Sequence, residues 1–212
     1  MSHIRGIILE GYSHAGKTSV LKALKLLHAQ EKSAERSVVV LSEHYSQVLN
    51  NVRGELRRLH RDDHLRLLQE RVSMLRQLSD WADYLGPDAS RASRGLFFIL
   101  ERFHLNHRAA YPDEPPREIE SLESDLLRLG ANCVLLTVSS ERIAQRMQSR
   151  TPEEWKNKTE EEIGRSADEF RQTQSELRKQ ARLSIVPTLE INTDAKDWNA
   201  YANQIMALSG MQ

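Results

Sequence analysis

The sequence predicts an α/β fold with a mostly parallel sheet, on two observations. Five apolar runs of strand length, Ile4–Glu10, Val38–Ser42, Leu96–Glu101, Asn132–Val138 and Thr188–Asn192, alternate with helical or charged sequence. Strands buried on both faces read as continuous apolar runs, and helices between them supply the crossovers that parallel neighbours need. The second observation is Gly11-Tyr12-Ser13-His14-Ala15-Gly16-Lys17-Thr18, which satisfies G-x-x-x-x-G-K-T at every fixed position. It lies between the first run and a helical pattern, the order in which this motif holds phosphate.

Taken in order, Ile7, Ile8 and Leu9 form a buried strand that feeds the glycine loop, and Val20, Leu21, Leu24, Leu26 and Leu27 recur at helical spacing after it. Two glycines let the backbone curl so that successive N–H groups point at an anion. Gly11, Ser13, His14, Ala15, Gly16, Lys17, Thr18 and Ser19 are thus the candidate phosphate cradle. Lys17 is placed to reach the β- and γ-phosphates of ATP, and Thr18 to hold Mg²⁺. From Asp62 a long helix carries Leu65, Leu68, Val72, Leu75, Leu78 and Trp81 at spacings of three and four, with Asp62 or Asp63 as cap and Gly86-Pro87 as stop. Such a helix, about 30 Å long, serves as core scaffold or dimer face. Tyr111 to Pro116 is proline-rich and reads as a surface loop. Arg117–Leu129 reads as an amphipathic helix stopped by Gly130. After the fourth run, Ser139-Ser140-Glu141 caps a helix on which Arg142, Arg146 and Arg150 sit four apart, on one face. A polar helix through Arg182 leads into the last strand.

In an open α/β sheet, ligands bind outside the carboxyl ends of the strands. The second run ends in Ser42-Glu43-His44-Tyr45 and the third in Leu100-Glu101-Arg102-Phe103-His104. Glu43 and Glu101 therefore offer two carboxylates beside the γ-phosphate, one to accept a hydroxyl proton and one to hold Mg²⁺ through water. The other reading makes Glu43 a helix-start carboxylate and pairs Glu101 with a surface lysine. Arg142, Arg146 and Arg150 are either a solvated face or a lid, spanning approximately 142–165, that brings cations to a transferring phosphoryl group.

At 212 residues the chain suits one well-buried core, so 1–212 reads as a single domain. The 30 Lys+Arg balance 30 Asp+Glu, which leaves no overall basic field to gather nucleic acid or an anionic membrane. No run approaches the roughly 18 apolar residues of a membrane span, and Met1 to Arg5 has no apolar signal core, so the reading is cytoplasmic. The single Cys133 reads as a buried, inert thiol. His104 and His107 lack a third soft ligand at a suitable position, which argues against structural zinc. Tyr12, Tyr45, Phe97, Phe98, Phe103 and Trp81 are aromatics that could sandwich a flat substrate.

Together these pieces resemble the thymidylate kinase and deoxynucleoside kinase group of P-loop kinases. The resemblance rests on Ile7 through Thr18, on Glu101-Arg102-Phe103 and on Val138 to Arg150, and it spans nearly the whole chain. It implies a three-layer P-loop kinase fold: a five-stranded parallel sheet flanked by helices, with a helical lid, ATP and Mg²⁺ at the loop, and a small-molecule acceptor between the second and third strand ends. Glu43 occupies the place of the nucleoside kinases' catalytic base, and Arg102 takes the phosphate-orienting role by position. With Lys17, Arg146 and Arg150 these form the expected catalytic set, and Thr18 and Glu101 the expected metal site. The sequence departs from the group in His44-Tyr45-Ser46-Gln47, where nucleoside kinases carry proline and tryptophan, and lacks the arginine-proline-glycine turn of thymidylate kinases. A nucleoside acceptor, a nucleoside monophosphate acceptor and a non-catalytic ATP-binding protein all fit the sequence. A regulatory GTPase does not, because Asn192-Thr193-Asp194-Ala195 stands where Asn-Lys-x-Asp would read guanine.

Overall fold

The computed structural model describes residues 4–85, 91–112 and 117–208. The expected helix stop at Gly86-Pro87 and residues 113–116 of the proline-rich loop lie outside them. The chain runs β1 (Ile4–Glu10), α1 (Lys17–Gln30), β2 (Ser37–Leu41), β3 (Leu49–Val52), β4 (Glu55–Arg58), α2 (Arg61–Tyr84), α3 (Arg91–Arg94), β5 (Leu96–Glu101) and α4 (His104–Ala110). It continues through α5 (Arg117–Arg128), β6 (Ala131–Thr137), α6 (Ile143–Arg150), α7 (Pro152–Trp155), α8 (Glu160–Leu183), β7 (Thr188–Asn192) and α9 (Trp198–Leu208).

Five strands form one parallel sheet in the order β2-β5-β1-β6-β7. Side chains alternate across it. Ile4, Ile8, Leu96, Phe98, Leu100, Cys133 and Leu135 join α2, α4, α5 and α8 in one core, while Ile7, Leu9, Phe97, Ile99, Val134 and Leu136 join α1 and α9 in the other. Two buried faces explain why the central strands read as unbroken apolar runs. Cys133 is fully buried, and burial pushes its thiol well up. Gly6 is dictated by contact: a Cβ there would lie 2.2 Å from the Phe98 ring.

Three departures from the sequence reading matter for the site. Residues 49–58 form an antiparallel hairpin turning at Arg53 (φ 55°) and Gly54 (φ 90°), outside the main sheet. Two successive positive φ angles are the hairpin-turn conformation whose twist matches its strands. Along α2, the buried stripe is His64, Leu65, Leu68, Val72, Leu75 and Ala82. Leu78 and Trp81, expected on that stripe, are 44% and 61% exposed. Their register lies one residue off the inward face, about 100° around the helix. The cap of α2 is His60 rather than an aspartate; Asp62 and Asp63 lie in the first turn, where their charge suits the helix dipole.

The expected lid segment is a 3-10 turn at Ser140–Arg142, then α6, α7 and the first turns of α8. A reciprocal capping box at Thr159 and Glu162 starts α8, with Thr159 N donating to Glu162 Oε2 at 2.8 Å and Glu162 N to Thr159 Oγ1 at 3.2 Å. Ile143, Met147, Ala167 and Phe170 form a small core of their own around Val138, against which Tyr12 of the glycine loop packs.

Candidate active site

The glycine loop leaves β1 at Gly11 (φ 137°), passes through left-handed His14 (φ 71°) and enters α1 at Gly16 (φ 99°). A Cβ at Gly16 would stand 2.7 Å from the Trp198 ring, so this turn requires glycine on both backbone and contact grounds. Thr193, fully buried just past β7, donates to Ala15 O at 2.9 Å or Thr137 O at 3.0 Å, fastening the loop to β6. Ala15 is buried beneath it.

Lys17 Nζ donates to Gly11 O at 2.8 Å and Tyr12 O at 3.1 Å. Its ammonium is pushed down to about 7, chiefly by burial and next by the Arg102 charge, against the pull of Glu43, Glu101 and Glu10.

The ends of β2 and β5 face it. After β2 a 3-10 turn, Glu43–Tyr45, closes with Gln47 N on Glu43 O at 2.8 Å, and the Ser46 hydroxyl donates to Glu101 O. Ser46 thereby ties the two strand ends together. Ser46 O in turn accepts from His64 Nε2 at 2.8 Å, and His64 Nδ1 lies 2.9 Å from His107 Nδ1. A carbonyl only accepts, so His64 carries its proton on Nε2 and takes one from His107 Nδ1–H. Burial lowers both imidazoles, His107 to about 3, which keeps the pair neutral.

Arg102 adopts φ 51°, its N–H on Leu9 O at 3.0 Å. That turn aims its guanidinium across the cleft, where Nη2 donates to Ser13 Oγ at 2.8 Å. Nε lies 2.8 Å from Glu43 Oε2, a close ion pair whose N–H is not aligned as a hydrogen bond. Behind it Glu10, at the end of β1, is fully buried and accepts from Phe103 N at 2.9 Å and Leu105 N at 3.0 Å. Burial raises this carboxyl to about 7 despite those bonds. Glu10 thus clamps the backbone that follows Arg102.

Two clefts flank the loop. One of about 200 Å³ is lined by Ser13, His14, Lys17, Thr18, Glu43, Arg102, Arg150 and Thr151. The other, of about 310 Å³, is lined by His14, Gly16, Thr18, Ser19, Arg146, Ser149, Arg150, Lys196 and Trp198. The expected residues Lys17, Thr18, Glu43, Arg102 and Arg150 therefore meet in one cleft. Arg146 belongs to the other, where it donates to Thr193 O and holds its guanidinium 6.0 Å from the Trp198 ring centre. Arg142 points away to Asp194, 4.0 Å from its carboxylate. Glu101 is 5% exposed and lines neither cleft; burial raises its carboxyl, and the Glu43 backbone amide faces it.

Lys17, Arg102 and Arg150 converge beside the Thr18 hydroxyl, which suits a polyphosphate, and that hydroxyl is a hard oxygen donor of the kind Mg²⁺ takes; Glu101, the other expected metal residue, lies buried behind the cleft. The aromatics read as a substrate sandwich do not form one. Phe97, Phe98 and Phe103 are fully buried in the cores, Tyr45 and Trp81 are exposed, and Tyr12 packs edge-on against Phe170 at 4.6 Å. The aromatic that does line a cleft is Trp198, for which the sequence offered only a position just after the last strand. Glu10, Ser46 and His64 were equally hidden, because each acts through partners distant in sequence.

No protein-family profile matches this sequence, and no curated protein sequence matches it. Solved structures do. YorR protein from Bacillus subtilis, in complex with phosphorylated GDP, superposes with a TM-score of 0.61 over 97% of this chain and 96% of that one, at 14% identity. A thymidylate kinase from Ehrlichia chaffeensis superposes with a TM-score of 0.52 over 98% of both chains, at 14% identity. At this identity the likeness concerns architecture: the chain has the P-loop kinase fold, a five-stranded parallel sheet between helices.

Proposed function

We propose that this protein is an ATP-dependent phosphotransferase acting on a hydroxyl of a small acceptor, a nucleoside or similar molecule, with Glu43 as general base. One observation carries the reading: the Glu43 carboxylate shares a cleft with Lys17, Thr18, Arg102 and Arg150. A hydroxyl is a poor nucleophile until it loses its proton, so a carboxylate facing the transferred group is useful. A monophosphate acceptor is already anionic, and the same carboxylate would repel it.

In this reading the loop amides and Lys17 hold the triphosphate, Thr18 and Glu101 serve Mg²⁺, and Arg102 orients the transferred phosphate. When bound, Mg²⁺ would neutralise charge on the transferring phosphoryl group. Arg150 brings a further cation from α6, and α6 and α7 exclude water from the cleft.

ATP consumption is to be followed over a panel of nucleosides, small hydroxyl compounds and nucleoside monophosphates. Glu43→Gln should cut turnover with a hydroxyl acceptor by about 10²–10⁴-fold while ATP still binds. A monophosphate substrate with an active Glu43→Gln variant would replace this reading by a thymidylate-kinase one.

A further inference from the structure

We propose that His64 is a positioning residue for Glu43, holding that carboxylate against Arg102 through the Ser46 carbonyl. The inference rests on the phosphotransferase reading, in which Glu43 is the general base. The Glu43 carbonyl accepts from Ser46 N and Gln47 N, at 3.1 and 2.8 Å, so the turn that carries the base follows wherever Ser46 is held. Three anchors fix residues 46–48. The Ser46 hydroxyl donates to Glu101 O, the Ser46 carbonyl accepts from His64 Nε2 at 2.8 Å, and Val48 N donates to Asn106 Oδ1 at 3.3 Å. His64 is set in turn by His107, whose Nδ1 lies 2.9 Å from its own Nδ1 and whose ring stacks on it at 5.1 Å. Asn106 and His107 both belong to α4, and Glu10 holds the start of that helix by accepting from Phe103 N and Leu105 N. Both working side chains are therefore measured from α4: Arg102 just before it, and Glu43 through His107, His64 and Ser46.

Packing alone does not call for this relay. His64 and Ser46 are fully buried and His107 nearly so, and every polar atom among them has given up water. Two apolar side chains between α2 and α4 would fill the same space without that cost. They could not fix the direction of a carbonyl. The side chain at 64 must donate at one end and accept at the other, as a neutral imidazole does. Precision of that kind matters beside a reacting centre, where a displacement of about 1 Å can cost about 100-fold in rate.

The test is a double-mutant cycle on the full chain, with two substitutions at His64 made in the parent and in Glu43→Gln. His64→Leu keeps most of the bulk and removes both bonds; kcat should fall about 30–100-fold while the KM for ATP changes by about 2-fold or less. His64→Gln can still donate to Ser46 O and accept from His107, and should return kcat to within about 3-fold of the parent. Added to Glu43→Gln, His64→Leu should cost about 2-fold or less, because a base already removed cannot be misplaced. Losses that multiply independently, or a His64→Gln variant as slow as His64→Leu, would overturn the proposal. Amide exchange without substrate supplies a second readout: His64→Leu should speed exchange at Gln47 by about 10-fold or more while the amides of β5 keep the parent's rates. Unchanged protection at Gln47 would overturn the proposal too. An inactive parent, or a Glu43→Gln variant as active as the parent, would instead strike the phosphotransferase reading, and amide exchange would still decide whether His64 holds the Glu43 turn.

Discussion

Lys17 holds its proton weakly, at about 7 against an ordinary 10.5, because burial and the Arg102 charge outweigh the pull of Glu43, Glu101 and Glu10. Arriving phosphates reverse that balance. ATP binding above pH 7 should therefore take up protons, as much as about one per site, read as a buffer-dependent binding enthalpy that Lys17→Met removes. Lys17→Ala should abolish phosphoryl transfer in a folded protein; undiminished turnover would remove the phosphate-loop premise. Glu10 is displaced the other way, from 4.5 up to about 7. Between those values the folded state binds more protons than the unfolded chain, so this group's contribution falls as pH rises from 4.5 to about 7. Glu10→Gln keeps an acceptor for Phe103 and Leu105 but cannot titrate. The stability gap between parent and variant, from urea unfolding, should shift against the parent across that window by a few kcal/mol at most.

Among the elements, α6 brings Arg150 to both clefts but Arg146 only to the larger, which separates their kinetic effects. Arg150 faces Lys17 and Glu43, whereas Arg146 lies beside Trp198 and Thr193 in the larger cleft. Arg150→Ala should lower kcat by about 10-fold or more, and Arg146→Ala should act mainly on the KM for ATP. Steady-state kinetics with ATP varied at saturating acceptor decides it; equal effects on both constants from both variants would return them to one function. The contact between α2 and α4 through His64 and His107 carries its own pH dependence. Both imidazoles are lowered in the folded state, His107 to about 3, and buried His104 is lowered to about 4. The unfolded chain binds more protons below 6.5, so these groups lose stability as pH falls from 6.5 toward 4 and below. His107→Gln should flatten the acid limb of the thermal-stability profile.

Across the whole molecule, what the sequence made legible follows from what each signal depends on. β1 and β5 stand where the apolar runs put them, since two-sided burial is written locally as continuous hydrophobicity; the edge strand β7, with only Ile191 buried, also stands at its expected place. The glycine loop was legible for a similar reason: its backbone conformation needs particular residues at fixed spacing. The hairpin at 49–58 carried no such mark, because it is largely solvated and its apolar residues do not read as a strand run. On α2, a helical period alone does not tell an inward stripe from the neighbouring one, so Leu78 and Trp81 were assigned to the core. Among site residues, Glu43 and Arg102 were visible as polar residues closing strands. Glu10 depends on a contact across 93 positions, and Trp198 on Gly16 near the other end of the chain, so neither left a local trace.

The strand order β2-β5-β1-β6-β7 also sets a timetable for biosynthesis. β1 is made first and lies at the centre of the sheet, but its two neighbours are residues 96–101 and 131–137. At translation rates of about 5–20 residues per second, the strand Ile4–Glu10 waits on the order of ten seconds before both edges have partners. During that interval its Ile-Ile-Leu core is a bare, pairing-competent segment on the nascent chain. Holding chaperones should engage the first hundred residues most strongly and release them once β6 has emerged.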